Sequence, residues 1–316
     1  MHTALRTASV FAALLSVALL AGCTLRYAVF GFPEARVSVA GTLPFELRYR
    51  QARGGLVILT GRVNGKADVD FILDTGAPVT VFIEGLAPAA LALDSSRARR
   101  MGAGDNAATP TGDIQDGFGI DFGGVALAGL TAVVVPLASM PCNERFREIG
   151  FGGVIGADLF RRFVVEIDPA TRRVRLHDPG SWRAPPGAAS VPIEFRGGHP
   201  FVKAGLALAD GRRIEIPMNV DTGLNRALTL VAGSHAAIAM PEEGTVRQSC
   251  LVNGVREERE GAAVTVELAG VRLPVAKPVY SDRPNPVDDA RTSTIGVELF
   301  RDRRLFIDFP GKRLVV

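Results

Sequence analysis

The chain has 316 residues, with 36 Lys plus Arg against 33 Asp plus Glu, so its formal charge of +3 gives no field for holding a polyanion, and nucleic-acid binding is excluded as its main business. A hydrophobic share of 47% with 22% charged residues is enough to bury a large core and rules out wholesale disorder. Thirty-five Gly and 20 Pro favour short strands joined by turns, an all-β chain, and three Cys are too few for a disulfide scaffold or a paired zinc site.

In chain order, the first element is an export segment. Arg6 precedes an apolar run from Ala8 to Leu20, which ends in Leu20-Ala21-Gly22-Cys23. The run falls short of the roughly 20 apolar residues a spanning helix needs. The tetrapeptide resembles the lipobox of bacterial lipoproteins, in which the signal is cut before Cys and the thiol carries a lipid; an ordinary cleaved signal and an N-terminal anchor are the alternatives. The resemblance implies a signal peptide over 1–22, lipidation at Cys23 and a tether over 23–40. With Thr24 rather than Asp after the Cys, it also implies transfer to the outer membrane of the bacterial envelope.

The mature chain then repeats itself. Pro44-Phe45-Glu46-Leu47-Arg48 returns as Pro192-Ile193-Glu194-Phe195-Arg196, and the turn dipeptide Asn64-Gly65 returns as Asp210-Gly211, each predicting a two-residue hairpin. Phe71-Ile72-Leu73-Asp74-Thr75-Gly76 returns as Met218-Asn219-Val220-Asp221-Thr222-Gly223, and Val154-Ile155-Gly156-Ala157-Asp158-Leu159-Phe160 returns as Thr294-Ile295-Gly296-Val297-Glu298-Leu299-Phe300. Each half closes on a strand pair, Ile167-Asp168 with Arg173–Leu176 and Ile307-Asp308 with Arg313–Val316. The order is the same throughout, which marks a duplicated domain: halves at 41–178 and 191–316, joined by a Pro/Gly-rich linker at 179–190. Helix is expected only near 85–92, near 234–240 and for a turn or two after each Ile-Gly. Cys142 and Cys250 are either a bridge or two separate buried thiols.

One Asp-Thr-Gly is expected about 0.1 times by chance at this composition and can be an ordinary capped turn. Two copies, each after an apolar strand and at matching places in a repeat, carry far more weight. Together with the two Ile-Gly segments about 80 residues further on, they make residues 43–316 resemble the aspartic protease clan. That resemblance implies a bilobal acid-protease fold, two similar β-barrel-like lobes forming an intramolecular pseudo-dimer. It implies Asp74 and Asp221 as the catalytic pair, with Thr75 and Thr222 bonding across the lobe interface. Gly76 and Gly223 would permit the tight loops, and Ile155-Gly156 and Ile295-Gly296 would pack beneath them.

The departures single out a branch. Pepsin-like enzymes place Ser or Thr after the motif, whereas this chain has Ala77 and Leu224, a loss of hydroxyl donors that should raise the pair's pKa. Pepsin-like flaps carry a Tyr, yet Tyr27, Tyr49 and Tyr280 all lie outside the first flap expected near 100–119, a segment rich in Gly at 102, 104, 117 and 119. Asp-Thr-Gly-Ala is similar to the retroviral type, so the chain resembles two fused retropepsin-like lobes, with a second flap at Gln248–Glu260 turning at Asn253-Gly254. The expected activity is endopeptidase cleavage of peptide or protein substrates by a monomer, without cofactor or metal. Pockets lined by Val79, Phe118 and Leu228 would make the subsites apolar, and Glu257-Glu258-Arg259-Glu260 reads as a solvated hairpin. The rival readings are a protein that keeps the fold only to bind peptide or envelope components, and a surface adhesin. Gly102-Ala103-Gly104 lacks the βαβ setting of a nucleotide loop, and the four His lack metal-ligand spacing.

Overall fold

In the computed structural model the described residues are 34–100, 111–251, 254–283 and 291–316. The signal segment, Cys23, the Gly102–Gly104 stretch and Asn253 lie outside them. Part of the expected tether is structured, because Arg36–Val39 is a strand paired antiparallel from Arg36 opposite Ala128 to Val39 opposite Val125.

Both turn dipeptides close hairpins, each with one residue more than the two-residue loop they predict. Strands Val57–Val63 and Ala67–Leu73 pair with Val63 opposite Ala67, and Asn64 and Gly65 are left-handed at φ 50° and 67°. Lys66 is the extra residue. Its N–H closes the turn on the Val63 carbonyl at 2.8 Å, while Asn64 turns to a third strand, giving its N–H to the Gly119 carbonyl and accepting the Gly119 N–H at 2.6 Å. Between His199–Ala207 and Arg213–Asp221 only Gly211 is left-handed, at φ 85°. Asp210 uses its carboxylate to hold the Arg212 N–H at 3.0 Å, and the loop closes from Leu208 N–H to the Arg212 carbonyl at 2.9 Å.

Each half repeats one arrangement around its Asp-Thr-Gly. In a nine-stranded sheet, Gly153–Ile155 runs parallel to Ala67–Leu73, with Ile155 opposite Leu73, and antiparallel to Thr80–Glu84. In the fifteen-stranded sheet, Ser293–Gly296 runs parallel to Arg213–Asp221, with Ile295 opposite Val220, and antiparallel to Leu228–Val231. Ala67–Leu73 and Arg213–Asp221 alternate buried with more exposed residues at their starts and become buried, as Phe71-Ile72-Leu73 and Met218-Asn219-Val220, where the parallel strand pairs with them.

The halves are joined by a stretch of the larger sheet to which each contributes three strands. Its order is Phe45–Arg48, Arg173–His177, Val164–Asp168, Leu305–Asp308, Arg313–Val315, Ser190–Arg196. Val165 opposite Ile307 marks its centre. One face of these strands enters the main core through Val165, Ile167, Val174, Leu176, Ile307 and Leu314. The other carries Glu166, 4% exposed, paired with Arg175 at 2.9 Å and His177 at 2.8 Å. Burial alone would raise the Glu166 pKa, but the His177 hydrogen bond and the Arg175 charge outweigh it and hold the carboxyl below its usual value. The 179–190 linker lies on this face and buries Trp182 against Val164, Phe306 and Val315, with the Arg313 guanidinium 4.9 Å from the ring centroid.

The all-β expectation holds. After the Ile-Gly pairs come the short helix Ala157–Phe160 and the 3-10 turn Val297–Phe300. Near 85–92 there is only the 3-10 turn Ala89–Leu91. The helix expected at 234–240 does not form: Gly233, at φ 80°, gives its N–H to the Ile238 carbonyl, and Ile238 turns back to His235, closing a loop too short to nucleate a helix. A seven-residue helix, Asn143–Ile149, stands where none was expected. It buries Phe146 and stops at a left-handed Gly150.

Cys142 and Cys250 form a disulfide with Cα atoms 6.0 Å apart and 108 residues of separation. It ties the start of that helix to the strand Val246–Leu251, and Arg145 adds a bond to the Gln248 carbonyl at 3.3 Å. Replacing both Cys by Ser is expected to cost about 2–4 kcal/mol by releasing a long loop in the unfolded chain. Urea unfolding of the double variant, beside oxidised and reduced parent, checks this; a change below about 0.5 kcal/mol would show that the bridge carries no stability.

Candidate active site

The strand Ala67–Leu73 ends where Asp74 gives its N–H to the Ile155 carbonyl at 3.0 Å, and the chain turns through Ala77 N–H to the Asp74 carbonyl at 3.3 Å. In the second half the matching turn is Leu224 N–H to the Asp221 carbonyl at 3.2 Å. The parallel neighbour holds each loop from below. Ala157 N–H bonds the Ala77 carbonyl at 2.9 Å, and Val297 N–H the Leu224 carbonyl at 3.2 Å. At Gly156 a Cβ would run into the Ala77 carbonyl, and at Gly296 into the Arg226 carbonyl, so both positions need glycine for close approach.

The two loops meet through their threonines. Thr75 Oγ1 donates to the Val220 carbonyl at 2.7 Å and accepts the Thr222 N–H at 3.1 Å. Reciprocally, Thr222 Oγ1 donates to the Leu73 carbonyl at 2.8 Å and accepts the Thr75 N–H at 3.0 Å. Both threonines are 1% exposed, so these four bonds have no competing water.

This cross-bracing sets Asp74 beside Asp221, their carboxyl groups hydrogen-bonded to each other and still partly open to solvent. Gly76 N–H donates to Asp74 Oδ1 at 2.6 Å and Gly223 N–H to Asp221 Oδ1 at 2.9 Å. Neither glycine takes a positive φ. Their requirement is space, because a Cβ on Gly76 would stand 2.9 Å from Asp221 Cγ and one on Gly223 would overlap the Asp74 carboxyl.

Burial raises the pKa of both carboxyls. For Asp221 the negative charge of Asp74 and the hydrogen bond it donates to Asp74 push the same way, so its proton is held well above the ordinary range. For Asp74 the bond from Asp221, the Gly76 and Gly223 amides and the positive field of His199 work against burial. Two carboxyls this close do not both ionise readily, so the pair shares one proton, and its titration belongs to the pair. Leu224 gives no hydroxyl, but its N–H acts to lower the Asp221 pKa.

Several residues escaped the sequence reading. Asp158, in the first Ile-Gly segment, accepts both the N–H and the Oγ1 of Thr80 at 2.7 Å and so braces the chain leaving the first loop. His199 occupies the place of the buried Leu56 in a short repeat, Arg53-Gly54-Gly55-Leu56 against Arg196-Gly197-Gly198-His199, and breaks the symmetry near Asp74. Glu258 is the clearest correction. Read as solvated, it is 3% exposed and ion-paired with Arg226, five residues after Asp221.

The expected apolar pocket residues are core: Val79 is 5%, Phe118 7% and Leu228 1% exposed, with Phe118 packed on Phe82. The segment expected as a second flap folds as a hairpin, with Val246–Leu251 paired to Gly254–Glu260. Of the first, Arg99–Arg100 pairs with Thr111 and Gly112, and the rest of 101–110 lies outside the described residues.

Residues 59–159 match a family model described as aspartyl protease, a segment that runs from before the first Asp-Thr-Gly through the first Ile-Gly. No curated protein matches the chain. The match supports peptidase chemistry over that segment, and the second loop enters through the geometry that joins it to the first.

Proposed function

We propose that this chain is an aspartic endopeptidase in which Asp74 and Asp221 activate one water between them. The observation that carries the reading is the hydrogen-bonded carboxyl pair, presented to solvent on two loops locked by Thr75 and Thr222. The ionised member of the pair takes a proton from the water as it attacks the peptide carbonyl, and the protonated member donates a hydrogen bond to the oxygen that gains charge. Proton return to the leaving nitrogen resets the pair. We further propose lipid attachment at Cys23, a place in the bacterial envelope with the outer membrane favoured, and a monomer, because each half supplies one loop. Labelled palmitate incorporated by the parent and absent from Cys23→Ser tests the anchor.

The test of activity is hydrolysis of a mixed peptide library by a form starting after Cys23. The pH profile follows from the directions above. The competent form holds one proton, and burial together with the mutual repulsion of the two carboxyls delays its loss, so activity should persist above the pH of about 4–5 at which ordinary carboxyls finish ionising. Rates that collapse by pH 4 would contradict the assignment. A folded chain that binds but cuts no peptide at any pH would make this a binding protein instead.

A further inference from the structure

Beside the second Asp-Thr-Gly the structure builds a one-sided cationic wall. Arg226 pairs with Glu258 and donates to Ser249 Oγ at 2.9 Å, and Ser249 also bonds Glu258. Ser249 stands opposite Arg256 in the hairpin, and Arg256 is two residues from Glu258. Strand alternation therefore puts Ser249, Arg256 and Glu258 on one face, the face that meets the loop after Asp221.

The charge of Glu258 is consumed by Arg226, but that of Arg256 is not. Its side chain is half-buried and makes no hydrogen bond or ion pair among the described residues. Burial lowers its proton affinity; Glu258 and Asp282 oppose this, while Arg283 and Arg226 add to it. Three arginines against two carboxylates leave an uncompensated cation in a partly desolvated place, where an incoming anion gains most. In the repeat, Arg226 matches Val79, an apolar residue 5% exposed, so the first half has no equivalent of the Arg226–Glu258 pair. The hairpin is also held in place, since Cys250, next to Ser249, is bridged to Cys142.

We propose that Arg256 is a specificity-determining residue that receives a substrate carboxylate, an acidic side chain on the peptide stretch passing between this hairpin and the 221–226 loop. This rests on the peptide-cleft reading, and the following experiment separates the two. Fluorescent octapeptides with an apolar frame and a single Glu or Gln at successive positions are titrated against Asp221→Asn, alone and combined with Arg256→Gln or Arg256→Lys. At one position the Glu peptide should bind about tenfold tighter than its Gln twin, the size of a partly desolvated charge-assisted bond. Arg256→Gln should erase that difference without weakening the Gln peptide, and Arg256→Lys should keep part of it.

Equal binding of Glu and Gln peptides, a preference that survives Arg256→Gln, or no binding by any peptide overturns the proposal. The parent chain, with Asp221 in place, then tells the readings apart. Glu-selective binding without cleavage removes the endopeptidase and keeps the carboxylate site, whereas cleavage indifferent to Glu does the reverse.

Discussion

Asp74→Asn and Asp221→Asn are each expected to lower kcat/KM by at least about 10²–10⁴-fold, the contribution of a positioned acid or base, since each removes one of the two roles that share the proton. The loss should fall on kcat, because Asn keeps the size and the hydrogen-bonding reach of the carboxyl. The same substitution carries a stability signature that a merely structural aspartate would not give. Both carboxyls have folded-state pKa values raised above the ordinary 3.8, so between that value and the raised ones the folded chain binds more protons than the unfolded chain. Stability then falls as pH rises through this window, and at neutral pH the pair is a standing cost. Asp221→Asn, neutral at every pH, should therefore be more stable than the parent at pH 7 and show no advantage below about pH 3, where both parent carboxyls are protonated in either state. Chemical denaturation of the two chains at both pH values measures it. An Asp221→Asn chain that retains cleavage, or that is destabilised equally at both pH values, would remove Asp221 from the dyad.

How far the sequence reaches is set by what kind of contact each residue makes. Asp74, Thr75 and Gly76 with their repeats are legible because one tripeptide must satisfy several demands at once: a carboxyl at the surface, a hydroxyl for the opposite loop, and no Cβ where the other carboxyl stands. The parallel strand Gly153–Ile155 is legible for a similar reason, since Gly156 has no room for a side chain. Glu258 is different. In a run of Glu257-Glu258-Arg259-Glu260, the one buried carboxylate is selected by Arg226 across 32 residues, and no local pattern marks it. The helix Asn143–Ile149 is hidden because its seven residues offer only two apolar positions, Phe146 and Ile149, too few to show a period. Val79 and Leu228 illustrate the opposite error: expected to line a pocket, they are core, Val79 in the bend that leads into Thr80–Glu84 and Leu228 at the start of a strand, opposite Ile295.

Thr75→Val and Thr222→Val are expected to destabilise the chain by about 2–5 kcal/mol each, although valine fills the same volume. Either change strands one carbonyl and one N–H in a place with no water to take over, at about 1–3 kcal/mol per group. For Thr75 the stranded groups are the Val220 carbonyl and the Thr222 N–H; for Thr222 they are the Leu73 carbonyl and the Thr75 N–H. In every case at least one stranded group belongs to the opposite half, so the damage is shared by both loops whichever threonine is changed. Ser at either position keeps the hydroxyl and should recover most of the loss, which separates the hydrogen bonds from packing of the methyl group. Activity should fall further than stability alone explains, because Asp74 and Asp221 hold a common proton only while the loops stay in register. Denaturant unfolding and kcat on the same four variants decide the matter: valine chains within about 0.5 kcal/mol of the parent, or serine chains as damaged as valine ones, would mean that the crossed hydroxyls do not hold the two loops together.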